Sequence, residues 1–347
     1  MSRIVRSCLI FIASSLLVAL SSFAAEVEKQ LIIDTHAHIV RNVRGNLDRT
    51  ASTAMSAMDE NGVTLTILLP PPFPDVHKGK YGRRELAPLT RDNPSRFAFV
   101  AGGESLNGMI QAVDPDRVTP RAIQEFNEEA EAIVRAGAVG FGEITAEHFS
   151  SGRGGHPYES TRPDHPLLLA LADIAAKHGI PIDLHMEAIP QDMAFPRRTG
   201  GANPERLKEN ISGLERLLIH NPGARIVWAH AGWDLTEERT VPLMRTLLAK
   251  YPNLYMSVKV DPVGSQRTSP MAPDGGIKPG WLALLNAFPD RFVIGSDQFF
   301  DEDTARLAGA RRFVNALPAD LAPAIARRNA ERIYKLDARP LSSGGPR

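Results

Sequence analysis

From residue 31 onward the chain alternates short, apolar, β-branched runs with longer stretches whose apolar positions recur at helical spacing. Eight of the short runs read as strands: Leu31–Ile39, Val63–Leu69, Phe97–Gly102, Ala138–Ile144, Ile180–His185, Arg225–His230, Leu254–Val260 and Arg291–Asp297. Helices are expected between them over Ala51–Glu60, Pro120–Ala136, Pro166–His178, Glu205–His220, Val241–Lys250 and Gly280–Ala287. Turn residues close several units just ahead of the next strand, as in Asn61-Gly62-Val63, His178-Gly179-Ile180 and Tyr251-Pro252-Asn253-Leu254. Such alternation is what a parallel sheet wrapped by helices requires. His38 and Asp297, at the ends of the first and eighth strands, are about 260 residues apart, close to the ~250 residues of a (β/α)8 barrel. The predicted fold is therefore α/β, a single (β/α)8 TIM barrel within residues 25–347. The competing open, doubly wound sheet needs a glycine-rich nucleotide fingerprint after a strand, and no G-x-G-x-x-G stands there.

Composition narrows the class of partner. With 43% hydrophobic and 23% charged residues, the 347-residue chain can bury a large core. Forty Lys+Arg balance forty Asp+Glu, and no block of like charge marks a nucleic-acid surface, so the expected partner is a small molecule. Cys8 is the single cysteine, which excludes a disulfide scaffold and a cysteine-zinc ribbon. Arg3 and Arg6 precede the apolar stretch from Cys8 to Ala19, and Ser22-Phe23-Ala24 places small residues at a signal-peptidase site. Residues 1–24 thus read as a secretory signal, and the expected location is periplasmic or secreted. The apolar run falls short of the ~20 residues a spanning helix needs, so no stable membrane anchor is expected after cleavage. Val5-Arg6-Ser7 puts an arginine inside any would-be lipobox, against lipid attachment at Cys8. A homo-oligomer is neither indicated nor excluded.

Three long connections, Pro70–Glu85, Thr145–Asp164 and Glu187–Pro204, each follow a strand, on the face where barrels place their sites. Five strand ends there carry metal-ligand chemistry. In Asp34-Thr35-His36-Ala37-His38 the two-residue period aims both imidazoles at one side. The fourth strand ends in Gly142-Glu143-Ile144, the fifth in Asp183-Leu184-His185, the sixth in Trp228-Ala229-His230 and the eighth in Gly295-Ser296-Asp297. A lone strand-end histidine is more often a hydrogen-bonded structural residue than a ligand. The recurrence of such residues at the same end of successive strands reverses that weighting. Three or four imidazoles with one or two carboxylates suit a borderline divalent ion, zinc first, then manganese, iron or nickel.

As a set, His36-Ala37-His38, Glu143, His185, His230 and Asp297 resemble the amidohydrolase superfamily. The stretch Asn329-Ala330-Glu331-Arg332-Ile333-Tyr334-Lys335-Leu336 resembles the closing helix of its amidohydrolase 2 branch. The similarity extends from Ile32 to Leu336. It implies a metal-dependent hydrolase in which the HxH pair and the eighth-strand aspartate ligate the metal. The strand-five and strand-six histidines complete the site in two-metal members, whereas His230 polarises the substrate in one-metal members. Many relatives carry a carboxylated lysine on strand four. This chain has Glu143, which either bridges two ions or orients a histidine from outside the coordination sphere.

A metal so held lowers the pKa of bound water toward ~7 and polarises a carbonyl. Asp297 is then the expected general base and later acid, and His230 either holds a second ion or faces the developing oxyanion. The expected reaction is attack by metal-bound hydroxide on an ester, lactone or amide bond. Alternatives are non-oxidative decarboxylation on the same scaffold, phosphoester hydrolysis, and a periplasmic binding protein that has lost catalysis. For substrate contacts, Lys259 is a candidate for a carboxylate, against a salt bridge to an acid such as Asp261. Trp233 is a candidate wall, Arg197 and Arg198 are candidate anion contacts, and His148 and His156 are rim residues. His178 and His220 are assigned to helix ends, and His77 and His165 to proline-bearing loops without identified partners.

Overall fold

The computed structural model describes residues 30–39, 47–72, 82–150, 157–196, 200–260, 267–300 and 304–336. The expected signal sequence and the candidates His77, His156, Arg197, Arg198 and Asp261 lie outside the described residues. No helix among the described residues is long and apolar enough to cross a membrane.

All eight expected strands are present: β1 Ile32–His38, β2 Val63–Leu68, β3 Phe97–Phe99 with its continuation Ala101–Gly102, β4 Phe141–His148, β5 Pro181–Met186, β6 Arg225–Ala231, β7 Leu254–Val258 and β8 Phe292–Ile294. Neighbouring strands pair in parallel in the order β3, β2, β1, β8, β7, β6, β5, β4, and the path ends on Ala101–Gly102. The two edges of the sheet are therefore pieces of one strand, with only Val100 between them. Val100 N donates to Leu68 O at 3.0 Å on one side, and Val139 N donates to Phe99 O at 2.9 Å on the other. A sheet whose first and last members are the same run closes on itself as a barrel.

Alternation along the strands builds two cores. Ile32, Leu68, Phe97, Phe141, Leu184, Trp228, Met256 and Phe292 face outward and pack with the helices. Ile33, Ile67, Val100, Val227, Tyr255 and Val293 fill the barrel interior, joined there by Ile333, Tyr334 and Leu336 from the chain end. The helix Asn329–Tyr334 thus joins the inner core, which gives the resemblance at Asn329–Leu336 a physical role.

The helices at Pro166–His178 and Val241–Lys250 match their expected bounds, and those at Leu47–Asn61, Pro120–Arg135 and Pro279–Ala287 differ from them by one to four residues at an end. Helices at Arg83–Asp92, Leu106–Gln111 and Ala305–Ala316 were not read from the sequence. The expected helix Glu205–His220 begins only at Ile211, because Arg206–Leu207 pairs antiparallel with Met193–Ala194. Asn210, just before it, receives the Ile189 amide at 3.0 Å and donates to Glu187 O at 2.9 Å. Strand β4 runs four residues past its expected end, because Glu147 and His148 pair with Ser160 and Glu159. His165 is fully buried and has partners after all: its Nδ1 accepts from Leu167 N at 3.1 Å and caps the following helix, while Nε2 faces Val113 O at 3.0 Å. His178 and His220 stand at helix ends beside Glu131 and Asp173.

Candidate metal centre

The side chains of His36, His38, Glu143, His185, His230 and Asp297 converge at the C-terminal mouth of the barrel, and all are buried. Strict two-residue alternation alone does not bring them there. On β1, Ile33 faces the inner core while Ala37 and Ile39 face the outer one, so the side chains change parity between them. The β1–β2 ladder shifts register between Asp34 and Ala37, which turns His36 and His38 inward. The same device recurs between Phe141 and Ile144 on β4, around Glu143, and between Trp228 and Ala231 on β6, around His230. His230 and Asp297 also hold left-handed backbone conformations, with φ of 66° and 55°. For non-glycine residues these cost energy and occur where surrounding structure enforces them. Gly295 is required by close approach: a Cβ there would stand 2.8 Å from Ser257 Cβ and 3.1 Å from His36 Cβ.

Glu143 sits at the centre with its two oxygens divided between two groups. Oε2 lies 3.8 Å from His36 Nε2 and 3.5 Å from His38 Nε2, whereas Oε1 lies 2.6 Å from His185 Nδ1 and 3.4 Å from His230 Nε2. Asp297 Oδ1 closes the first group, 3.2 Å from His38 Nε2 and 3.8 Å from His36 Nε2. Outer partners fix the imidazoles: His36 Nδ1 is 3.1 Å from Asp183 Oδ2, and His38 Nδ1 is 3.0 Å from Leu69 O. With Nδ1–H donated outward, each ring aims a lone pair from Nε2 into the centre.

These residues fit a divalent ion. His36 Nε2 is buried without a hydrogen-bond partner, an arrangement that is costly unless the atom ligates. His36, His38 and Glu143 offer donor atoms within 4.8 Å of one another; so do Glu143, His185 and His230, and so do His36, His230 and Asp297. Charge points the same way. Burial opposes the charged form of His36, yet Asp183, Glu143 and Asp297 outweigh it and raise its pKa to about 9. Burial likewise opposes charge on His185, where Glu143 and Glu187 raise the pKa to about 9. Glu143 and Asp297 resist burial and stay well below the ordinary carboxylate range, Glu143 through His36 and His185, and Asp297 through Lys259 and Arg306. The centre demands positive charge, which protons or a metal can supply in exchange.

Lys259 Nζ contacts Asp297 Oδ2 at 2.5 Å and stands 4.4 Å from the Trp233 ring centroid. The alternative of an ion pair is thus realised with Asp297. Arg306 reaches the same oxygen at 2.7 Å and also donates to Asp297 O. The His148 ring centroid lies 4.6 Å from that of His185. Sequence reading missed Asp183, Glu187, Asp234, Arg239 and Arg306. Asp183 was within reach, since Asp183 and His185 fall on one face of β5, and Glu187 continues the same two-residue spacing one residue past the end of that strand. Nothing local to Arg306 announces its partner.

A closed barrel with imidazoles and carboxylates gathered at its C-terminal mouth defines a metal-dependent barrel enzyme. The chain belongs to the amidohydrolase family, whose sequence profile matches residues 33–336, and it is a metal-dependent hydrolase. Among solved structures it is similar to a TIM-barrel protein from Bordetella bronchiseptica, with 16% identity and a TM-score of 0.56 over 89% of this chain and 99% of that one. It is also similar to an amidohydrolase 2 protein from Bifidobacterium longum subsp. infantis, with 14% identity and a TM-score of 0.45 over 88% and 99% of the two chains. An amidohydrolase from Mycoplasma synoviae matches with 12% identity and a TM-score of 0.47 over 89% and 88%. No curated protein matches the chain.

Proposed function

We propose that the protein hydrolyses an ester, lactone or amide bond of a small molecule with two divalent ions, both of which Glu143 would help to hold. The carrying observation is the division of the Glu143 oxygens between the His36/His38 pair and the His185/His230 pair. His36, His38 and Asp297 would complete one position, and His185 and His230 the other. Zinc suits this mixed nitrogen and oxygen set. When bound, such ions supply Lewis acidity toward a carbonyl oxygen and toward a water molecule.

The chain's own groups supply the proton chemistry. Asp297 Oδ1 faces the centre and takes the proton from the attacking water, later returning it to the leaving group. Its Oδ2 is held by Lys259 and Arg306, so the carboxylate cannot rotate away from the reaction. Burial lowers the pKa of His230 well below that of free imidazole, and the Lys259 charge adds to this, which leaves a neutral ring able to ligate. Lys259, seated on Trp233, presents its remaining N–H donors to an anionic or carbonyl group of the substrate. Residues 1–24 carry the protein to the periplasm or outside the cell, and a mature N-terminus at Ala25 is the result that supports export.

Elemental analysis of the purified protein tests the bridge: two ions per chain support it, and one moves weight to the decarboxylase alternative. An ester, lactone and amide panel tests the reaction. Carbon dioxide released from an aromatic acid without net water addition would replace hydrolysis as the reading.

A further inference from the structure

The geometry points to Arg239 as the residue that positions the His185/His230 half of the centre, an inference that rests on the two-position reading. Strands β5 and β6 keep register through Leu184↔Trp228, and no further pair follows among the described residues. The two histidines lie just beyond that point, one residue past Leu184 and two past Trp228. His230 leaves extended geometry altogether, with φ at 66°. The end of β5 is still paired to β4 through Thr145↔His185, and that of β6 to β7 through Ala231↔Val258, but no ladder pair joins the two ends to each other at the spacing that Glu143 Oε1 spans.

Arg239 joins them. It is 1% exposed, with its guanidinium carbon 4.2 Å from the centroid of the Trp228 ring. Nη1 donates to Ala229 O and Nη2 to Met186 O, the carbonyls immediately before His230 and immediately after His185. One rigid planar fork therefore ties both strand ends, and the Trp228 indole N–H adds a bond to Met186 O at 2.7 Å. The segment that delivers Arg239 is anchored to the same place. Asp234 accepts from Ala188 N at 3.2 Å and from Arg239 N at 2.9 Å, and Glu187 accepts from Leu235 N at 2.8 Å. Glu187 Oε1 in turn faces His185 Nε2 at 3.8 Å, the ring nitrogen that points away from Glu143. Burial lowers the Arg239 pKa from its ordinary value, and the nearby Asp234 and Glu187 counter part of that penalty.

Zinc titration of the metal-free full-length protein, read by calorimetry and by ions retained per chain, tests this. Wild type is expected to show two binding events. Arg239→Lys keeps the charge but reaches only one of the two carbonyls. It should weaken one event about 10- to 100-fold, the range for partners that orient ligands, and leave the other within about threefold. Trp228→Phe, which removes the indole bond to Met186 O and narrows the ring beneath the guanidinium while leaving Arg239 in place, should weaken the same event by a smaller factor and decides the matter if Arg239→Lys does not fold. Two events of wild-type affinity in these variants, even with a lowered melting temperature, would show a purely structural role and overturn the inference while leaving the two-position reading intact. A single zinc ion bound per chain in wild type would overturn that reading and, with it, this inference.

Discussion

Replacing Lys259 by Met isolates what the buried ammonium does for Asp297. Nζ and Oδ2 are 2.5 Å apart, and the residues are only 6% and 8% exposed. Charge centres ~3 Å apart at an effective dielectric of about 20 attract by about 5 kcal/mol before desolvation is counted. Burial has already pushed the Lys259 pKa down, which shows that much of this attraction is cancelled. Arg306 stays in place at 2.7 Å and holds part of the carboxylate charge. The remainder should be at the low end of the 1–3 units that one close opposite charge contributes, about one unit or about 1.4 kcal/mol. Losing a cation destabilises the carboxylate, so the Asp297 pKa rises and the acid limb of kcat/KM moves to higher pH by about one unit. The assay is the pH profile of ester or lactone hydrolysis, with metal content measured on the same samples. An acid limb that stays where it was, at full metal content, would refute either Asp297 as the proton carrier or its coupling to Lys259.

Asp297→Asn should abolish turnover, by at least about 10²-fold for loss of a general base, while metal analysis still finds ions held by the histidines and Glu143; unchanged turnover removes that role. Ile333→Ala, fully buried in the inner core, should cost about 2–5 kcal/mol in chemical denaturation, and a cost near zero would deny that helix its part in that core. Gly295→Ala must fit a Cβ 2.8 Å from Ser257 Cβ and should cost about 1–3 kcal/mol by the same measurement. Burial raises the Glu159 pKa to about 7 despite the Asn107 bond, so its protonated form is favoured on folding. That stability is complete below the unfolded value of 4.5 and fades as pH rises through about 7. Glu159→Gln should flatten the difference in unfolding free energy between pH 5 and pH 8 by at most about 3 kcal/mol, and an unaltered difference would assign it elsewhere.

Repeated βα periodicity was enough to determine the barrel, its eight strands and the face on which chemistry would gather. Six residues, His36, His38, Glu143, His185, His230 and Asp297, were legible as a set because strand ends of a closed barrel share one mouth. Local pattern could not supply their orientation. Three of the strands that carry these residues break parity through a register shift, and a shift arises from how two strands fit each other. The Arg306 contact with Asp297, the Arg239 tie across β5 and β6, and the split of the Glu143 oxygens are likewise invisible in the linear chain. Each joins groups brought together only after the sheet has closed. Periodicity is a property of one segment, and so the sequence contains it outright. Register, charge pairing and the aim of a side chain are relations between segments, and only the folded barrel decides them.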